Sequence, residues 1–369
     1  MALLRGFGPE RLEALMRCDP LEVTLDVVPR ARFDMLDLRS CLPAEKRQRL
    51  NAYPRSLYWS SHTTAGFLEP ATAARLFVGP GVAAYLQAFR ALFPEGADYE
   101  HDHLERRLEL APDQRLIEPR NADSHLAFIA AGLRPCVTSR NGPGPGVCFV
   151  DLDGINDGRP RTRRTRIIGF NEEHEVARTR VEVPVSSHAV DSINLKDPRL
   201  GVYDQLREFV RAHDVSKGRL RLALAEQERH AGLTVNEYET LLMRHDLPEV
   251  LRNPLRFAIE RGRHALAEPR KVPAKTLGYA KYDLVRVVNQ LVDTLGLHES
   301  LVERLIARSM AAPAARFLRM KRSVSLLVSD GQGHGPCVVE GTYQSPILVQ
   351  WNRTGRSARA LDVTLTAIS

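Results

Sequence analysis

The sequence predicts an α+β protein made of two related domains. Its 369 residues exceed the ~150–200 residues of one ordinary domain. Segments in which polar and apolar residues alternate lie near both ends of each half, which is typical of strands. Residues at helical spacing lie between these segments. Strands at the ends of each unit with helices between them favour α+β over alternating α/β.

An internal repeat indicates where the two domains begin. Residues 33–38 resemble residues 190–195, and each segment follows an alternating stretch, at 21–25 and at 181–185. Repeated segments in the same order are the signature of a duplicated unit. The start of each half therefore predicts the same pair of strands.

Two further pairs of segments follow in the same order. Residues 57–66 resemble residues 222–234, because each strand runs into a histidine and then small residues. Residues 147–168 and 346–365 each consist of two strand-like stretches around a polar turn, which predicts a closing hairpin in each half. Three ordered pairs favour a tandem duplication.

The repeat sets the predicted boundaries. The first domain covers residues 1–170 and the second covers residues 178–369, with the polar segment 171–175 as the linker. The second copy is longer, and the extra residues have helical spacing, so we expect a helical insertion at about 240–320. In the first copy, helices are expected at 71–92 and 124–133.

Composition and charge describe an ordinary globular protein. Apolar residues make up 43% and charged residues 26% of the chain, which excludes a largely disordered protein. No apolar run reaches the ~18–20 residues of a membrane-spanning helix, and the first residues do not have the pattern of a secretory signal. We expect a protein without membrane contact, located in the cytoplasm.

The net charge of +7 suits an anionic partner. The sequence has no zinc-finger spacing, no RNA-binding aromatic signature and no lysine-rich tail, so a small anionic substrate is expected rather than a nucleic acid. The five cysteines are odd in number and form no C-x-x-C pair, which gives no support for a disulfide framework or a structural zinc site.

Histidines of the first half are the main candidates for chemistry. His62 ends a strand, His101 and His103 form an H-x-H pair, and His125 follows an Asp-Ser pair that suits a helix cap. If the H-x-H pair lies on a strand, both rings share one face, so these four histidines are candidate ligands of a divalent metal, Mg or Zn. General acid–base catalysis is a second interpretation. The alternative is that each is a hydrogen-bonded structural histidine near a loop.

Arginines of the first half are candidate anion ligands, since guanidinium groups match phosphate oxygens. Arg163 is the predicted substrate ligand among them, although the run 159–163 also suits the tip of a solvated hairpin. The glycine-rich run 141–146 has amides that suit an anion, but it matches no phosphate-loop pattern.

The second half offers a different set of side chains. Asn236 and Glu237 follow His230 closely, and Gln344 precedes the last pair of strands. An Asn and a Glu beside a His can hold a cation or position a substrate. The alternative is a helix start with ordinary exposed polar groups.

These segments resemble the YjbQ-like family, which is described as secondary thiamine-phosphate synthases. The resemblance rests on residues 62–66, 99–102, 123–126 and the closing hairpin in the first half, and on 230–237, 323–331 and 341–344 in the second. It implies small α+β domains that assemble as trimers. It also implies a transferase reaction of biosynthesis, in which a pyrimidine pyrophosphate condenses with a thiazole phosphate and pyrophosphate leaves.

The resemblance implies a site divided between the halves. The first half lacks the Asn-Glu pair and the Gly-Thr-Trp-Gln-like segment of the family, whereas the second half lacks the Tyr-x-His-Asp and Asp-x-His segments. The predicted catalytic residues are His62, His101, His125 and Glu237. The predicted substrate-binding residues are Thr63, Thr64, Asp102, Asn121, Asp123, Arg163, Asn236 and Gln344.

Two classes of function follow. One is an enzyme acting on a phosphorylated or otherwise anionic small molecule, with a histidine as general base and arginine or a divalent metal neutralising phosphate. Its reaction is either the thiamine-type condensation or a diverged one in specialised metabolism, because a fold does not fix a reaction. The alternative is a non-catalytic ligand-binding or scaffold protein. We expect a homo-oligomer or a pseudo-symmetric pair of domains, with Glu237 or Gln344 facing the first half's histidines.

Overall fold

The computed structural model describes most of the chain. The described residues are 19–77, 81–142, 146–188, 190–252, 320–330, 335–352 and 354–369. Most of the helical insertion expected at 240–320 lies outside them. No helix within the described stretches is long and apolar enough to cross a membrane.

Strands dominate both halves of the described chain. Those of the first half are β1 (Leu21–Val27), β2 (Asp34–Asp37), β3 (Arg55–Ser60), β4 (Ala65–Phe67), β5 (Cys136–Arg140), β6 (Cys148–Asp151), β7 (Ile155–Asn156), β8 (Arg159–Pro160) and β9 (Arg163–Phe170). Those of the second half are β10 (Glu173–Pro184), β11 (Asp191–Asn194), β12 (Lys217–Leu224), β13 (Ala231–Asn236), β14 (Ser323–Asp330), β15 (Pro336–Val339), β16 (Ser345–Gln350) and β17 (Ala358–Ile368).

Helices lie between the strands, so the fold is α+β. The α-helices are α1 (Leu38–Cys41), α2 (Ala44–Asn51), α3 (Pro70–Phe77), α4 (Gly81–Leu92), α5 (Pro112–Arg115), α6 (Ala122–Ala131), α7 (Val202–Arg211) and α8 (Leu247–Arg252). A π-helical turn at Leu242–Asp246 precedes α8, and 3-10 turns occupy Glu100–Asp102, Leu104–Arg106 and Pro198–Leu200. The helices expected at 71–92 and 124–133 correspond to α3 with α4 and to α6.

The same strand order occurs twice. The first half forms a four-stranded sheet in the order β1-β9-β3-β5 and a three-stranded sheet in the order β2-β6-β4. In the second half the orders are β10-β17-β12-β14-β15 and β11-β16-β13. Each strand of the first two sheets thus has a counterpart in the second two. The repeated order agrees with the ordered segment pairs of the sequence, while the domain boundaries stay a prediction.

The closing hairpins expected from the sequence are wrong. β6 pairs with β2 and β4, whereas β9 pairs with β1 and β3. In the second half β16 and β17 also belong to different sheets. The chain therefore crosses from one sheet to the other between β6 and β9, and again between β16 and β17. The hydrogen-bond partners of these strands come from strands that are distant in the sequence. The expected linker at 171–175 is also shorter, since β10 already begins at Glu173.

The strand register also corrects the alignment of the two halves. His230 stands directly before Ala231, which opens β13, whereas His62 stands three positions before Ala65, which opens β4. Ala65 and Ala231 pair with the equivalent last residues of β6 and β16. His62 therefore does not match His230 as the sequence suggested. Counting back from these strands, the residue that matches His62 is Glu228.

A shared core joins the halves and fixes the buried helix α6. Every residue of α6 is buried, as expected for a helix that is apolar on most of its faces. Gly132 ends the helix in the left-handed conformation, with φ 65°, which glycine adopts without strain. Leu126 belongs to one hydrophobic cluster with Met243 and Ile347 of the second half. Side chains on α6 therefore lie at the junction of the two halves.

Candidate functional site

A small cavity lies where the two halves meet. Its volume is about 90 Å³, which is below the ~300 Å³ at which drug-sized ligands are usually enclosed. The residues that line it are Ser61, His62, Thr63, Thr64, Glu118, Pro119, Asn121, His125, Arg161, Arg163, Glu237 and Tyr343. Such a cavity suits the reacting end of a small substrate, with the rest of the substrate outside.

The hydrogen bonds of Asn236 decide which nitrogen of His125 carries the proton. The Asn236 side-chain amide nitrogen donates to the Thr63 carbonyl at 2.8 Å, and its Oδ1 accepts from the Glu237 N–H at 2.9 Å. His125 Nδ1 lies 2.7 Å from the same Oδ1. Because Oδ1 accepts, Nδ1 must donate, which leaves Nε2 of the neutral ring as an acceptor. Burial holds the pKa of His125 well below its ordinary value, so the ring is neutral at neutral pH.

The Glu237 carboxyl faces that acceptor nitrogen. Its Oε2 lies 3.7 Å from Nε2 of His125, and its Oε1 lies 3.4 Å from Nη2 of Arg107. Burial raises the pKa of Glu237 to about 7, although the Arg107 guanidinium opposes the rise. Glu237 therefore exchanges a proton near neutral pH. A neutral imidazole and a half-protonated carboxyl thus share one end of the cavity.

His101 lies behind His125 and away from the cavity lining. The two ring centroids are 5.3 Å apart, and His101 Nδ1 lies 3.0 Å from Oδ1 of Asp102. Burial, with Arg107 nearby, lowers the pKa of His101 to about 3. The histidine is neutral and fully buried. It supports His125 by packing, while a direct contact with a substrate in the cavity is not available to it.

His101 and His103 do not lie on a strand, so the condition for a shared face of the two rings is not met. The segment forms a 3-10 turn at Glu100–Asp102, whose geometry places alternate residues on different sides. His101 is buried, whereas the His103 side chain is about one third exposed and pairs with Asp98 at 2.8 Å. These two rings do not form a joint metal site.

His62 is fixed to the cavity by the second half. The Gln344 amide nitrogen donates to the His62 carbonyl at 2.9 Å and to the Ser60 carbonyl at 2.8 Å. The Gln344 Oε1 accepts from the Gly341 N–H at 3.0 Å. Burial, with Arg163 and Arg161 nearby, lowers the pKa of His62 to about 3. Its ring therefore enters the cavity uncharged.

Two arginines also line the cavity. Arg163 is buried and binds Asp151 through Nε at 2.6 Å and through Nη2 at 2.8 Å. Arg161 is partly exposed and pairs with the buried Asp153. Asn121 also binds Asp153, at 2.7 Å through its amide nitrogen. The carboxylates orient both guanidinium groups and leave further N–H donors for a ligand.

Some predicted substrate ligands have other partners. Asp123 lies 2.8 Å from Arg32 and does not line the cavity. Asp102 accepts from the Ala122 N–H at 3.1 Å, so it caps α6 in place of the Asp-Ser pair expected from the sequence. Burial raises the pKa of both aspartates to about 6. Both support α6 and the residues around it.

The described side chains do not fit a metal centre. No group of three or more His, Cys, Asp or Glu side chains in the described part of the chain is arranged to hold a metal ion. The donors near the cavity already hold arginine or amide partners, as for Asp151 and His125. The predicted divalent metal site at His62, His101, His103 and His125 is therefore not supported by the described residues.

The sequence did not identify Arg107 and Glu118. Arg107 is 2% exposed and binds three carboxylates, those of Glu109, Glu118 and Glu237. Glu118 lines the cavity beside Glu237. Both lie in a polar stretch without motif or periodicity, so only the three-dimensional contacts reveal them. Arg161 lies in the run 159–163, which the sequence pattern also assigned to the tip of a solvated hairpin.

A second, wider groove lies on the sheet of the second half. Its volume is about 680 Å³, and arginines such as Arg178, Arg180 and Arg221 line it. None of the predicted site residues lines this groove. The junction cavity is therefore the better candidate for chemistry.

Comparison with known proteins gives structural neighbours. No family model matches the chain, and no curated protein does. A YbjQ-like protein of unknown function from Sulfolobus solfataricus P2 aligns with 53% of this chain and 99% of its own, at 17% identity and a TM-score of 0.28. A hypothetical protein from Aeropyrum pernix K1 aligns with 51% of this chain and 97% of its own, at 16% identity and a TM-score of 0.27.

A further neighbour has a family name. An uncharacterized conserved protein of the yjbq/upf0047 family from Clostridium acetobutylicum aligns with 52% of this chain and 99% of its own, at 13% identity and a TM-score of 0.25. None of these descriptions gives an activity. Each of the three alignments covers about half of this chain and nearly all of the neighbouring protein.

Proposed function

We propose that the chain is a small-molecule enzyme that transfers a proton to or from a phosphorylated or otherwise anionic substrate in the junction cavity. The observation that carries the proposal is the pairing of the His125 Nε2 acceptor with the Glu237 carboxyl at 3.7 Å. General acid–base catalysis needs one group that accepts and another that gives a proton near neutral pH. The two groups come from different halves of the chain.

The hydrogen bonds support a direction for the proton. Asn236 holds the ring proton of His125 at Nδ1, so a substrate hydroxyl or amine beside Nε2 gives its proton to that nitrogen. The imidazolium that forms is buried, and the nearby Glu237 carboxylate stabilises it. In the protonated form Glu237 is a general acid for a leaving oxygen, because its pKa of about 7 keeps both forms populated at neutral pH.

The guanidinium donors of the cavity support an anionic substrate. Arg161 and Arg163 both line it, and guanidinium donors match phosphate or carboxylate oxygens. A phosphate or pyrophosphate that departs with negative charge is stabilised there. The thiamine-type condensation, in which pyrophosphate leaves, is one reaction of this class. A diverged reaction on another phosphorylated small molecule is the second.

Turnover assays on the full chain test the proposal. The substrates are the pyrimidine pyrophosphate with the thiazole phosphate, then a panel of phosphorylated small molecules, with released pyrophosphate or phosphate as the readout. We expect turnover by the wild type and by the exposed control Glu226→Gln. In Glu237→Gln the rate should fall by roughly 100-fold or more, the usual contribution of a general acid or base. Ligand binding without turnover in any assay would instead favour the non-catalytic alternative.

A further inference from the structure

The second half contains a buried arginine at the position of Arg163. In β9, Thr165 pairs with Ser60, the last residue of β3, and in β17, Leu361 pairs with Leu224, the last residue of β12. Arg163 and Arg359 each lie two residues before these paired positions. They are 2% and 1% exposed. In each case Nη2 donates to a backbone carbonyl two residues after a strand of the other sheet. The acceptor is Asp153 after β6, at 2.5 Å, for Arg163, and Asn352 after β16, at 2.9 Å, for Arg359. The two guanidinium groups are therefore held in the same way.

The two arginines differ at Nη1. Arg359 Nη1 donates to Oε2 of Glu228 at 2.9 Å. The other carboxylate oxygen of Glu228 accepts from the Ala360 N–H at 3.0 Å and from Arg356 at 2.5 Å. This carboxylate is 1% exposed, so the second half encloses its own anion. In contrast, Nη1 of Arg163 makes no hydrogen bond to a described residue, and Arg163 lines the junction cavity.

The position of Glu228 in the fold is that of His62. Both stand three residues before the first residue of β13 or β4. Where the second half places a carboxylate against its buried arginine, the first half places a neutral histidine and the open cavity. The first half thus has the arginine donor of this arrangement without an internal acceptor.

We infer that Nη1 of Arg163 binds an oxyanion of the substrate at the place that the Glu228 carboxylate takes in the second half, where Glu228 closes the equivalent site. The ligand chemistry is a phosphate or a carboxylate group, with Arg161 as the second cationic group at the cavity. Of these two equivalent positions, the one in the first half is then open to an anion from solution. The identity of this anion as part of a substrate rests on the proposed function, whereas the binding itself does not.

The charge of the neighbouring residues sets the expected strength. Asp151 already neutralises Arg163, whereas the equivalent residue beside Arg359 is the neutral Gln350. An anion in the first half is therefore attracted by the unfilled Nη1 donor and by Arg161, not by an uncompensated charge. We expect saturable but modest affinity for inorganic phosphate or acetate alone.

Calorimetric titration of the full chain with inorganic phosphate, and separately with acetate, tests the inference. His62→Glu places a carboxylate where Glu228 stands in the second half, so it should weaken phosphate binding by roughly tenfold or more, the contribution of one hydrogen bond between charged groups. His62→Gln, which adds no charge, should weaken phosphate binding much less than His62→Glu does. If His62→Glu does not fold, Arg161→Gln replaces it, with weaker binding expected. The inference is overturned by a wild type that binds neither anion, or by equal binding in both altered chains.

The second half supplies an independent arm. Glu228→Ala removes the enclosed carboxylate and leaves Arg359 without its counter-charge, which should lower the melting temperature. Acetate or phosphate should restore the loss and reveal a second anion site in the titration. Glu226→Ala, an exposed glutamate two residues earlier, should change neither. Loss of stability that no small anion restores would contradict the equivalence of the two sites.

The outcomes separate this inference from the proposed function. Phosphate bound at the cavity without turnover of any substrate leaves the inference in place and removes the enzyme proposal. Turnover that requires Glu237 but does not change in His62→Glu leaves the enzyme proposal and removes the inference.

Discussion

Nδ1 of His125 lies 2.7 Å from Oδ1 of Asn236, so a histidine of the first half is oriented by an amide of the second. The same amide donates to the Thr63 carbonyl at 2.8 Å. Asn236 therefore connects the helix that carries His125 with the loop after β3. The site depends on both halves, because the orienting group and the oriented group are 111 residues apart in the chain.

Replacing Asn236 should disturb both contacts. In Asn236→Ala the His125 N–H and the Thr63 carbonyl lose their partner inside the protein. Buried groups left without a hydrogen bond cost about 1–3 kcal/mol, so we expect a lower free energy of unfolding in urea. Asn156→Ala, in the short β7–β8 hairpin at the surface, is the matched control and should change it little. Equal stability of the two variants would show that this contact does not hold the site.

Acid should destabilise the protein through His125. The unfolded histidine binds a proton below about pH 6.5, whereas burial keeps the folded one neutral. Stability from this group is therefore full above its unfolded pKa and lost as pH falls. In His125→Gln the decrease in unfolding free energy between pH 7 and pH 5 should be smaller, because the altered side chain takes up no proton on unfolding. The check is urea unfolding at several pH values.

Glu237 should have the opposite effect. Its folded pKa of about 7 lies above the ordinary value of 4.5, so the folded state binds a proton between these values and the unfolded state does not. That stability is full at low pH and is lost as pH rises through about 7. In Glu237→Gln, the increase in unfolding free energy that this carboxyl gives as the pH falls should therefore be absent. A change of the same sign in His125→Gln and Glu237→Gln would contradict these assignments.

Arg107 should tune Glu237. Its guanidinium lies 3.4 Å from Oε1 of Glu237 and favours the ionised carboxylate. In Arg107→Met the pKa of Glu237 should rise above about 7. Any pH–rate profile that depends on Glu237 should then shift to higher pH. Arg106→Met is the control, because the neighbouring Arg106 is exposed and pairs with Glu100. An unchanged profile in Arg107→Met would mean that Arg107 has a purely structural role.

Gln344 should hold the loop of His62 in place. Its buried amide bonds to the carbonyls of Ser60 and His62, so Gln344→Ala leaves two acceptors without their donor. We expect a loss of about 1–3 kcal/mol and weaker phosphate binding at the cavity. Gln227→Ala, at an exposed position, is the matched control. Calorimetric melting and phosphate titration of both variants provide the test, and equal results would contradict the role of Gln344.

Local patterns predicted much of the fold. Alternation at 21–25 and 181–185 identified β1 and the end of β10, and helical spacing identified α6, because these signals depend on neighbouring residues. The pairing of β6 and β9 was wrong, since sheet partners are chosen by packing across the whole chain. The repeat was visible in the sequence, yet its register was not, and His62 was matched with His230 in place of Glu228.

The site was only partly accessible from the sequence. His62, His125, Asn236, Glu237 and Gln344 could be named from their motifs, and the fold brings them together at the junction of the halves. Arg107 and Glu118 could not be named, because a buried arginine with three carboxylates has no local signature. Whether His101 faces a substrate was also beyond the sequence, since burial behind His125 depends on the core.

The titration of Glu237 is the decisive test of a proton-exchanging site between the two halves. Side-chain carboxyl ¹³C NMR of the full chain, labelled at glutamate and assigned with Glu237→Gln, reports the proton on that carboxyl between pH 4 and pH 9. We expect a midpoint near pH 7, and we expect this midpoint to move when His125 is replaced by Gln. A Glu237 that titrates near 4.5, as an exposed glutamate does, would contradict a shared proton site between the two halves.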